Sequence, residues 1–352
     1  MKVVAVIGCG HIANGQHFLA LTNLEDVRIK YACDIIEEKA QKSKANFPKI
    51  ENVITDYNIA LNDPEVDAVF VLTPNYAHYT VTMDALKAGK HVLCEKPITV
   101  NYKLSCEMKE EADKRGLMLN IGVCNRHNVS VEKLKDMYDN GEFGKVYHVN
   151  CSFRSCRNIP GIGGSFTTKS ESGGGVLIDW GVHFLDLALY ILGMPKLQTV
   201  TCNTYGEIGK DVKAYKFKSM WGDDLYDPNG TFNVDDYVVG LVRTDAASIM
   251  LNGAWAQNVE HEEFYVDILG DKKGARFHYG ARIEVFDGDT LITDAPDYEL
   301  PNMYQREDRA FLDSIDTKIK TRGNIDYVLE SARLLDLLYE SAASNKEIAV
   351  NY

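Results

Sequence analysis

Residues 2–13 read KVVAVIGCGHIA, an apolar, β-branched run that passes directly into a glycine-rich turn. A run of this kind predicts a strand that is buried on both faces of a parallel sheet. Gly8 permits the tight turn, Gly10 lets a ligand approach the backbone, and the small Ala13 lets a helix pack close to the strand. The helix predicted from Ile12 offers its free N–H groups and the positive end of its dipole to an anion. The stretch therefore predicts a strand–turn–helix unit that binds phosphate.

Strand and helix patterns alternate through the first third of the chain. The predicted strands cover residues 2–7, 28–33, 67–72, 91–94 and 117–124, and the predicted helices that follow the first one cover 36–46, 76–89 and 101–115. Repeated βα units imply right-handed crossovers and a doubly wound parallel sheet of the Rossmann type. Ligands bind such sheets beyond the carboxyl ends of the strands. The residues expected there are Gly8, Cys9, Gly10, His11, Ile12, Asp34, Thr73, Pro74, Asn75, Glu95, Lys96, Pro97, Asn125 and Arg126.

An acidic residue at the end of the second strand identifies the dinucleotide. Residues 8–13 match the G-x-G-x-x-(G/A) fingerprint, and Asp34 follows at near the spacing that this fold expects. Its carboxylate can accept hydrogen bonds from the adenosine ribose and would repel a 2′-phosphate. The next residues, Ile35 and Ile36, supply no cation for such a phosphate. The sequence therefore predicts NAD rather than NADP.

Two further motifs carry groups suited to hydride and proton chemistry. Lys96 follows a strand at the ligand edge, where its positive charge would stabilise a developing alkoxide. Residues 173–186 read GGGVLIDWGVHFLD, and Asp179, His183 and Asp186 are spaced i, i+4 and i+7, so they can share one helix face. Histidine titrates near neutral pH and can act as a general base. Asp179 can hold or polarise it, or bind a second substrate hydroxyl. Taken alone, a histidine on so apolar a helix is more often a core residue.

Together, the GxGxxA motif, the Glu-Lys-Pro strand end and the GGG…DxGxHxxD helix resemble the Gfo/Idh/MocA family of NAD(P)-dependent oxidoreductases. The resemblance covers essentially the whole chain. It implies an NAD-binding Rossmann domain, residues 1–125, followed by an α/β domain for substrate binding and oligomerisation, residues 126–352. The second domain of this family is built on a large, open, mostly antiparallel sheet. Most members oxidise or reduce a hydroxyl or carbonyl group of a sugar or cyclitol.

The resemblance also implies roles for individual residues. Lys96, Asp179 and His183 correspond to the catalytic trio, which also contacts the substrate, and Arg126 lies where the family's active site opens. Besides the fingerprint residues and Asp34, the residues that it places at the cofactor are Thr73, Pro74, Asn75, His78, Glu95, Lys96 and Asn125. The chain departs from the family at residues 126–129, which read RHNV instead of Arg-Phe-x-Pro. It also departs at residues 165–169, which read SFTTK where an aromatic residue and an arginine are common.

From about residue 145 the pattern changes to alternating strands with one polar face. They are predicted at 145–154, 197–205, 234–243, 246–256, 262–269, 274–279 and 282–287, and helices are predicted at 304–319 and 324–344. An open sheet with a long exposed face commonly pairs with another copy, so we expect a homo-oligomer, a dimer or tetramer. Four aromatic residues either line a sugar cleft or pack in the core, namely Trp180, Tyr237, Trp255 and Tyr304.

Composition argues against several other classes of protein. A chain of 352 residues suits two domains, and a net charge of −13 without a basic stripe argues against nucleic-acid binding. We read no apolar run as a signal peptide or membrane span, so we expect a cytoplasmic protein with no membrane partner. The eight cysteines form no CxxC pair, so we expect reduced thiols and no metal site.

The expected activity is that of an NAD-dependent dehydrogenase, an oxidoreductase acting on CH–OH groups. It would oxidise a secondary hydroxyl of a sugar, glycoside or cyclitol to a ketone. A glucoside 3-dehydrogenase is the first expectation and an inositol dehydrogenase the second. One alternative is a glycoside-processing enzyme that oxidises its substrate transiently, with no net redox change. Another is an NAD-binding sensor without catalysis, against which the intact trio argues.

Overall fold

The computed structural model describes residues 1–218 and 226–352, which divide into two compact units. Met1–Cys124 and Asn302–Leu329 form the first unit, and Asn125–Pro301 and Glu330–Tyr352 form the second. The first boundary lies one residue from the predicted one. The assignment of residues 302–329 to the second domain was wrong, because Phe311 and its neighbours join the core of the first unit. Helical periodicity predicts a buried face but does not say which core receives it.

The first unit is built on a six-stranded parallel sheet. In chain order its strands are β1 (Lys2–Ile7), β2 (Val27–Cys33), β3 (Asn52–Ile54), β4 (Ala68–Val71), β5 (His91–Glu95) and β6 (Leu119–Gly122). They lie in the order β3-β2-β1-β4-β5-β6, and every neighbouring pair is parallel. The chain reverses its direction of winding between β1 and β4, where ligands bind in this topology. The predicted doubly wound Rossmann sheet is confirmed.

Helices cover this sheet within the same unit. They are α1 (Phe18–Thr22), α2 (Glu37–Asn46), α3 (Asn58–Leu61), α4 (Asn75–Lys87) and α5 (Tyr102–Arg115), and a π-helical segment, Ala13–His17, leads into α1. The Asn101 side chain caps α5 by accepting the Leu104 N–H, and Gly116 ends it with a φ of +64°. The predicted ends of α2, α4, α5 and the long strands are confirmed to within two residues. The short β3 and α3 were not predicted.

The second unit contains a large, mostly antiparallel sheet, as predicted, and nine strands belong to it in the described part of the chain, two more than the sequence indicated. Its strands are β7 (Val146–Arg154), β8 (Leu197–Tyr205), β9 (Tyr237–Thr244), β10 (Ser248–Ala254), β11 (Glu263–Gly270), β12 (Lys273–His278), β13 (Ile283–Asp287), β14 (Ile292–Asp294) and β15 (Ile348–Ala349). They lie in the order β14-β13-β12-β11-β7-β10-β9-β8-β15, and only β7 and β10 pair in parallel. Alternate residues such as Val149, Cys151 and Phe153 are buried, so one face packs on the core.

The remaining helices are α6 (Val129–Asp139), α7 (Lys169–Ser172), α8 (Val182–Ile191), α9 (Met303–Thr317) and α10 (Ile325–Ser344). A π-helical segment, Leu177–Gly181, directly precedes α8. Sequence analysis missed α6, although its buried Val131 and Leu134 are three residues apart, as on one helix face.

One stretch in the described part of the chain, Lys169–Ile191, is long and apolar enough to cross a membrane, contrary to the expectation that no run would qualify. Of its most apolar window, 83% is buried inside the protein. The stretch also carries Asp179, His183 and Asp186. Its burial is that of a core helix, which passes the same test of length and composition.

Candidate active site

The loop after β1 is shaped for a phosphate group. Gly8 has a φ of +98°, and a Cβ at this position would lie 2.4 Å from the Leu72 carbonyl oxygen, so only glycine fits. The Gly8 N–H donates to the Cys33 carbonyl oxygen at 2.8 Å, which holds the loop at the end of β2. Buried Ala13 begins the helical segment after the turn. The backbone thus has the form that a dinucleotide pyrophosphate requires.

Asp34 lies at the end of β2 with both carboxylate oxygens anchored. Its Oδ2 accepts the Cys9 N–H at 2.9 Å, and its Oδ1 accepts the Ile36 N–H at 2.9 Å. A carboxylate oxygen can accept more than one hydrogen bond, so both oxygens retain capacity for ribose hydroxyls. The side chain is fixed in place and able to bind, which fits NAD and opposes the additional phosphate of NADP.

Asn14 braces the phosphate loop, a role that sequence analysis missed. Its Nδ2 donates to the carbonyl oxygens of Cys9 at 2.8 Å and Gly10 at 3.0 Å, and its Oδ1 accepts from Ser43 Oγ at 2.9 Å. Ser43 lies in α2, so the side chain ties the loop to a second helix. The fingerprint specifies glycine and alanine positions only and gives no signal for this contact.

The turns after β1 and β4 present six accessible members of the predicted cofactor set. Because these two strands are parallel neighbours, both turns lie at the same edge of the sheet. The structure brings these residues together at the switch point, as predicted. Gly10, Ile12, Thr73 and Asn75 are partly exposed, and His11 and Pro74 are exposed.

His78, in α4, is buried between two loops. Its Nδ1 lies 2.7 Å from the Pro97 carbonyl oxygen, and its Nε2 lies 2.8 Å from that of Thr73. Burial lowers the pKa of His78, so the neutral ring donates its one N–H to one of the two carbonyls. This geometry favours a role in joining the loops after β4 and β5 over the predicted contact with the cofactor.

Glu95 and Lys96 stand at the end of β5 in different surroundings. Lys96 is partly exposed at the ligand edge, whereas Glu95 is buried. The Glu95 Oε2 accepts the backbone N–H of Lys96 at 2.9 Å, and its Oε1 lies 3.1 Å from His17 Nε2. Gly122, the last residue of β6, pairs with Glu95. A Cβ at Gly122 would lie 2.8 Å from the Glu95 Cδ. This placement favours an internal role for Glu95 over the predicted cofactor contact.

His17 forms the centre of a buried charged cluster that sequence analysis missed. Its Nδ1 lies 3.0 Å from Asp308 Oδ1, and its Nε2 contacts Glu95. Burial lowers the pKa of His17, but Asp308 and Glu95 outweigh it and hold that pKa well above its usual value. His17, Glu307 and Asp308 offer three metal-ligand atoms within 4.8 Å of one another. Since carboxylates engage both ring nitrogens, the geometry favours an ion-pair cluster over a metal site.

In the second unit, Asp235 clamps the glycine-rich turn before Asp179. Its Oδ1 accepts the Gly175 N–H and its Oδ2 the Leu177 N–H, both at 2.9 Å. The Tyr339 hydroxyl donates to Oδ1 at 2.9 Å. A Cβ at Gly175 would lie 1.8 Å from the Asp235 carbonyl oxygen, so the turn requires glycine. The clamp satisfies free N–H groups at the start of the helical segment and fixes its position.

Asp179 lies in the π-helical segment, and His183 follows at the start of α8. Asp179 is 6% exposed, and its Oδ2 accepts a 3.1 Å hydrogen bond from Trp255 Nε1. Trp255 is fully buried. A hydrogen bond to an ionised acceptor is about twice as strong as a neutral one. Of the two roles that the sequence left open for Trp255, lining a sugar cleft or packing in the core, the structure shows packing. The buried indole also holds Asp179.

Asn125 engages the Nδ1 of His183. Its Nδ2 lies 3.3 Å from His183 Nδ1 and 2.9 Å from the Tyr279 hydroxyl, while its Oδ1 has no hydrogen-bond partner in the described part of the chain. The two ends of an amide are assigned from such contacts. The reverse orientation lets Oδ1 accept from both neighbours, and Nε2 of neutral His183 then carries the lone pair that a general base needs. This contact gives Asn125 a role beyond the predicted one at the cofactor.

Arg126 forms a buried ion pair with Asp186. Its Nε and Nη2 donate to the two Asp186 oxygens at 2.9 and 2.7 Å, and Ser331 Oγ donates to Oδ1 at 2.7 Å. The guanidinium also lies over the Tyr190 ring, 4.9 Å from its centre. Since Arg126 is fully buried, this geometry favours a structural role over the predicted contact with substrate.

The other three aromatic candidates also have packing contacts. Their rings meet neighbouring aromatic rings at distances typical of edge-on or offset-stacked pairs. The observed contacts therefore favour packing for these residues. Trp180 lies 5.2 Å from Phe264, Tyr237 lies 5.7 Å from Tyr205, and Tyr304 lies 5.5 Å from His17.

Two domain families, one for each half of the same kind of protein, together match most of the chain. Residues 2–123 match the oxidoreductase family with an NAD-binding Rossmann fold, and residues 131–276 match the Gfo/Idh/MocA C-terminal domain. The protein belongs to the Gfo/Idh/MocA family. The predicted family is confirmed, and with it an oxidoreductase that carries an NAD-binding Rossmann domain.

Several characterised proteins resemble this family member. The D-glucoside 3-dehydrogenase of Escherichia coli (strain K12) is 28% identical over 348 residues, which are 98% of this chain and 96% of that protein. The myo-inositol 2-dehydrogenase of Thermotoga maritima is 30% identical over 190 residues, 54% of each chain. The solved structure of levoglucosan dehydrogenase with NADH and levoglucosan has a TM-score of 0.86 at 20% identity and covers 100% of both chains. At that identity the structural match shows a shared fold.

Proposed function

We propose that this protein is an NAD-dependent dehydrogenase that oxidises a secondary hydroxyl of a sugar, glycoside or cyclitol to a ketone. Oxidation at C3 of a glucoside is the first candidate, and oxidation of an inositol is the second. The observation that carries the proposal is the helical segment on which Trp255 holds Asp179 and Asn125 contacts His183 Nδ1. The full-length similarity to a D-glucoside 3-dehydrogenase supports the order of the candidates.

Each residue has a defined task in this proposal. His183 accepts the hydroxyl proton at Nε2, and Lys96 stabilises the negative charge that develops on the same oxygen. Asp179 orients the histidine or binds a neighbouring hydroxyl. Bound NAD supplies the acceptor for the hydride that leaves the carbinol carbon. The products are a ketone, NADH and one proton.

A panel of glucosides, free sugars and inositols, assayed with NAD at 340 nm, tests the proposal. His183→Ala and Lys96→Ala should each lose at least about 100-fold in kcat while still binding NADH. His148→Ala is the matched control, because that ring contacts Ser248 Oγ within the sheet and should retain its turnover. Near-normal turnover in His183→Ala or Lys96→Ala would overturn the assigned roles.

The same assay separates net oxidation from transient oxidation. A dehydrogenase accumulates one NADH and one ketone per substrate consumed. A glycoside that is cleaved while no NADH accumulates would support the alternative without net redox change. Binding of NADH with no conversion of any substrate would support a sensor.

We also propose a homo-oligomer that forms through the open face of the nine-stranded sheet. Tyr205, Met250 and Phe286 lie on that face and are 45%, 41% and 45% exposed. Large apolar side chains of this kind often mark an interface between copies. Light scattering should show a dimer or tetramer, and Met250→Glu should shift it toward monomer. A monomeric native protein would contradict this.

A cytoplasmic location is proposed on the state of the cysteines. All eight are free thiols, and six of them are buried. Burial raises the pKa of both Cys9 and Cys33 to about 12, so these thiols are unreactive. Free thiols of this kind suit a reducing compartment. Fractionation of the source cells tests the location.

A further inference from the structure

We propose that His17, held between Asp308 and Glu95, is a positioning residue for Lys96 that acts through Glu95. This inference rests on the proposed catalytic role of Lys96. It gives a function to a buried cluster in the first unit that the proposed chemistry does not otherwise use.

Three hydrogen bonds connect Asp308 to the lysine backbone. Asp308 Oδ1 contacts His17 Nδ1 at 3.0 Å, His17 Nε2 contacts Glu95 Oε1 at 3.1 Å, and Glu95 Oε2 accepts the Lys96 N–H at 2.9 Å. His17, Glu95 and Asp308 are 0%, 5% and 0% exposed. Hydrogen bonds in so dry an environment are strong and fix their partners closely. The series ends on the backbone N–H of Lys96, the residue whose side chain is proposed to stabilise the alkoxide.

Glu95 is the link that most needs an opposing charge. The Glu95 side chain lies over Gly122. A Cβ at Gly122 would come within 2.8 Å of the Glu95 Cδ, so glycine at this position leaves room for the carboxylate. A buried carboxylate is stable only when it is paired and hydrogen-bonded. Without His17, Glu95 would have to take up a proton or turn outward. Turning outward would release the Lys96 N–H, and a protonated carboxyl group would accept it more weakly than a carboxylate does.

His17 is the buried group that offsets the charge of the carboxylates around it. Glu307 is neutral because burial raises its pKa well above the usual value, so the carboxylates that contact the His17 ring are those of Asp308 and Glu95. A buried charge is costly unless it is paired. The titratable groups that act on His17 and Glu307 are Glu95, Asp308 and Cys124, and the Tyr304 ring packs edge-on against His17.

His17→Gln tests the link, because its amide can still donate to Glu95 but carries no charge and cannot bridge to Asp308. We expect kcat to fall about 10- to 100-fold, as for the loss of a hydrogen bond to a charged group, with little change in the Kd for NADH. Asp308→Asn, which keeps the shape of the site, should show a smaller loss of the same kind. Phe311→Leu is the control for lost stability, since it trims the same core on the same helix and should keep its kcat.

A double variant separates positioning from a general loss of packing. If His17 acts through Glu95, then His17→Gln added to Glu95→Gln should slow the enzyme no further than Glu95→Gln alone. If the double variant instead lost kcat by the product of the two single losses, the substitutions would act independently and the inference would be overturned. A normal kcat in His17→Gln beside an inactive Lys96→Ala would also overturn it and leave the proposed function standing. An active Lys96→Ala would instead refute the proposed function.

A measurement that needs no turnover completes the test. ¹⁵N NMR of labelled histidine should show His17 protonated on both ring nitrogens at neutral pH, and Asp308→Asn should weaken that state. A neutral His17 would overturn the inference. One tightly bound metal ion per purified chain, lost in Glu307→Gln, would overturn it as well, because a metal-bound His17 cannot donate to both carboxylates.

Discussion

Trp255 Nε1 donates a 3.1 Å hydrogen bond to Asp179 Oδ2, and the two residues are 76 positions apart in the sequence. The indole is fully buried, so its N–H depends on this acceptor. The bond fixes the orientation of a carboxylate that lies four residues before His183. Asp179 is therefore held both by its own helical segment and by a neighbouring strand end.

Trp255→Phe should lower kcat/KM by about 10- to 100-fold, because it removes a hydrogen bond to a charged group and keeps most of the ring volume. Steady-state kinetics with the best substrate of the panel measure the effect. Phe143→Leu is a matched control, since Phe143 is fully buried in the same core. That variant should lose stability and keep its kcat/KM. Unchanged kinetics in Trp255→Phe would mean that Asp179 needs no such partner.

Asn125→Asp should shift the pH profile of kcat/KM. A carboxylate beside His183 Nδ1 favours the imidazolium, and the proposed mechanism requires the neutral ring. The acid limb of the profile should therefore move to higher pH by about one unit. Tyr279→Phe removes only the hydroxyl that contacts Asn125 and should leave the limb in place. An unmoved limb in Asn125→Asp would exclude His183 as the titrating base.

The parallel sheet could be predicted because a strand that is buried on both faces is an unbroken run of apolar residues. Residues 68–71 are all buried, and the run has no polar position. The placement of α9 could not be predicted in the same way. Buried Phe311 and Ile315 repeat at helical spacing, but the repeat is the same whichever core they join. Short elements such as β3 carry too few residues for any period to be recognised.

The site shows the same division between local and distant information. Gly8, Asp34 and His183 stand at motif positions, because a turn, a strand end and a helix face are local features. Their partners come from elsewhere: Asn125 is 58 positions from His183 in the sequence. Arg126 illustrates the limit from the other side. A polar residue after a strand suggests a ligand contact, and only the fold shows that Asp186 takes it up.

Asp34 should determine the choice of cofactor. We expect kcat/KM to favour NAD over NADP by at least about 100-fold, because a second negative charge beside the carboxylate costs several kcal/mol. Ile35 and Ile36 follow it and are 83% and 45% exposed, so a cation can be introduced there without disturbing the core. Asp34→Ser with Ile35→Arg should reverse the preference. Glu38→Ser, an exposed charge in α2, should leave it unchanged, and equal use of both cofactors by the native enzyme would contradict the assignment.

Glu307 should make the protein less stable as the pH rises. Burial raises the pKa of Glu307 well above its usual value, so the folded protein holds a proton that the unfolded chain has lost by neutral pH. The free energy of unfolding then falls by up to about 1.4 kcal/mol per pH unit, from about pH 4.5 to the folded-state pKa. Glu307→Gln has the same shape and does not titrate, so its stability should fall less steeply. Urea denaturation across that range measures both slopes, with the exposed Glu110→Gln as the control that should parallel the native protein. Parallel curves for Glu307→Gln would mean that Glu307 is ionised in the fold.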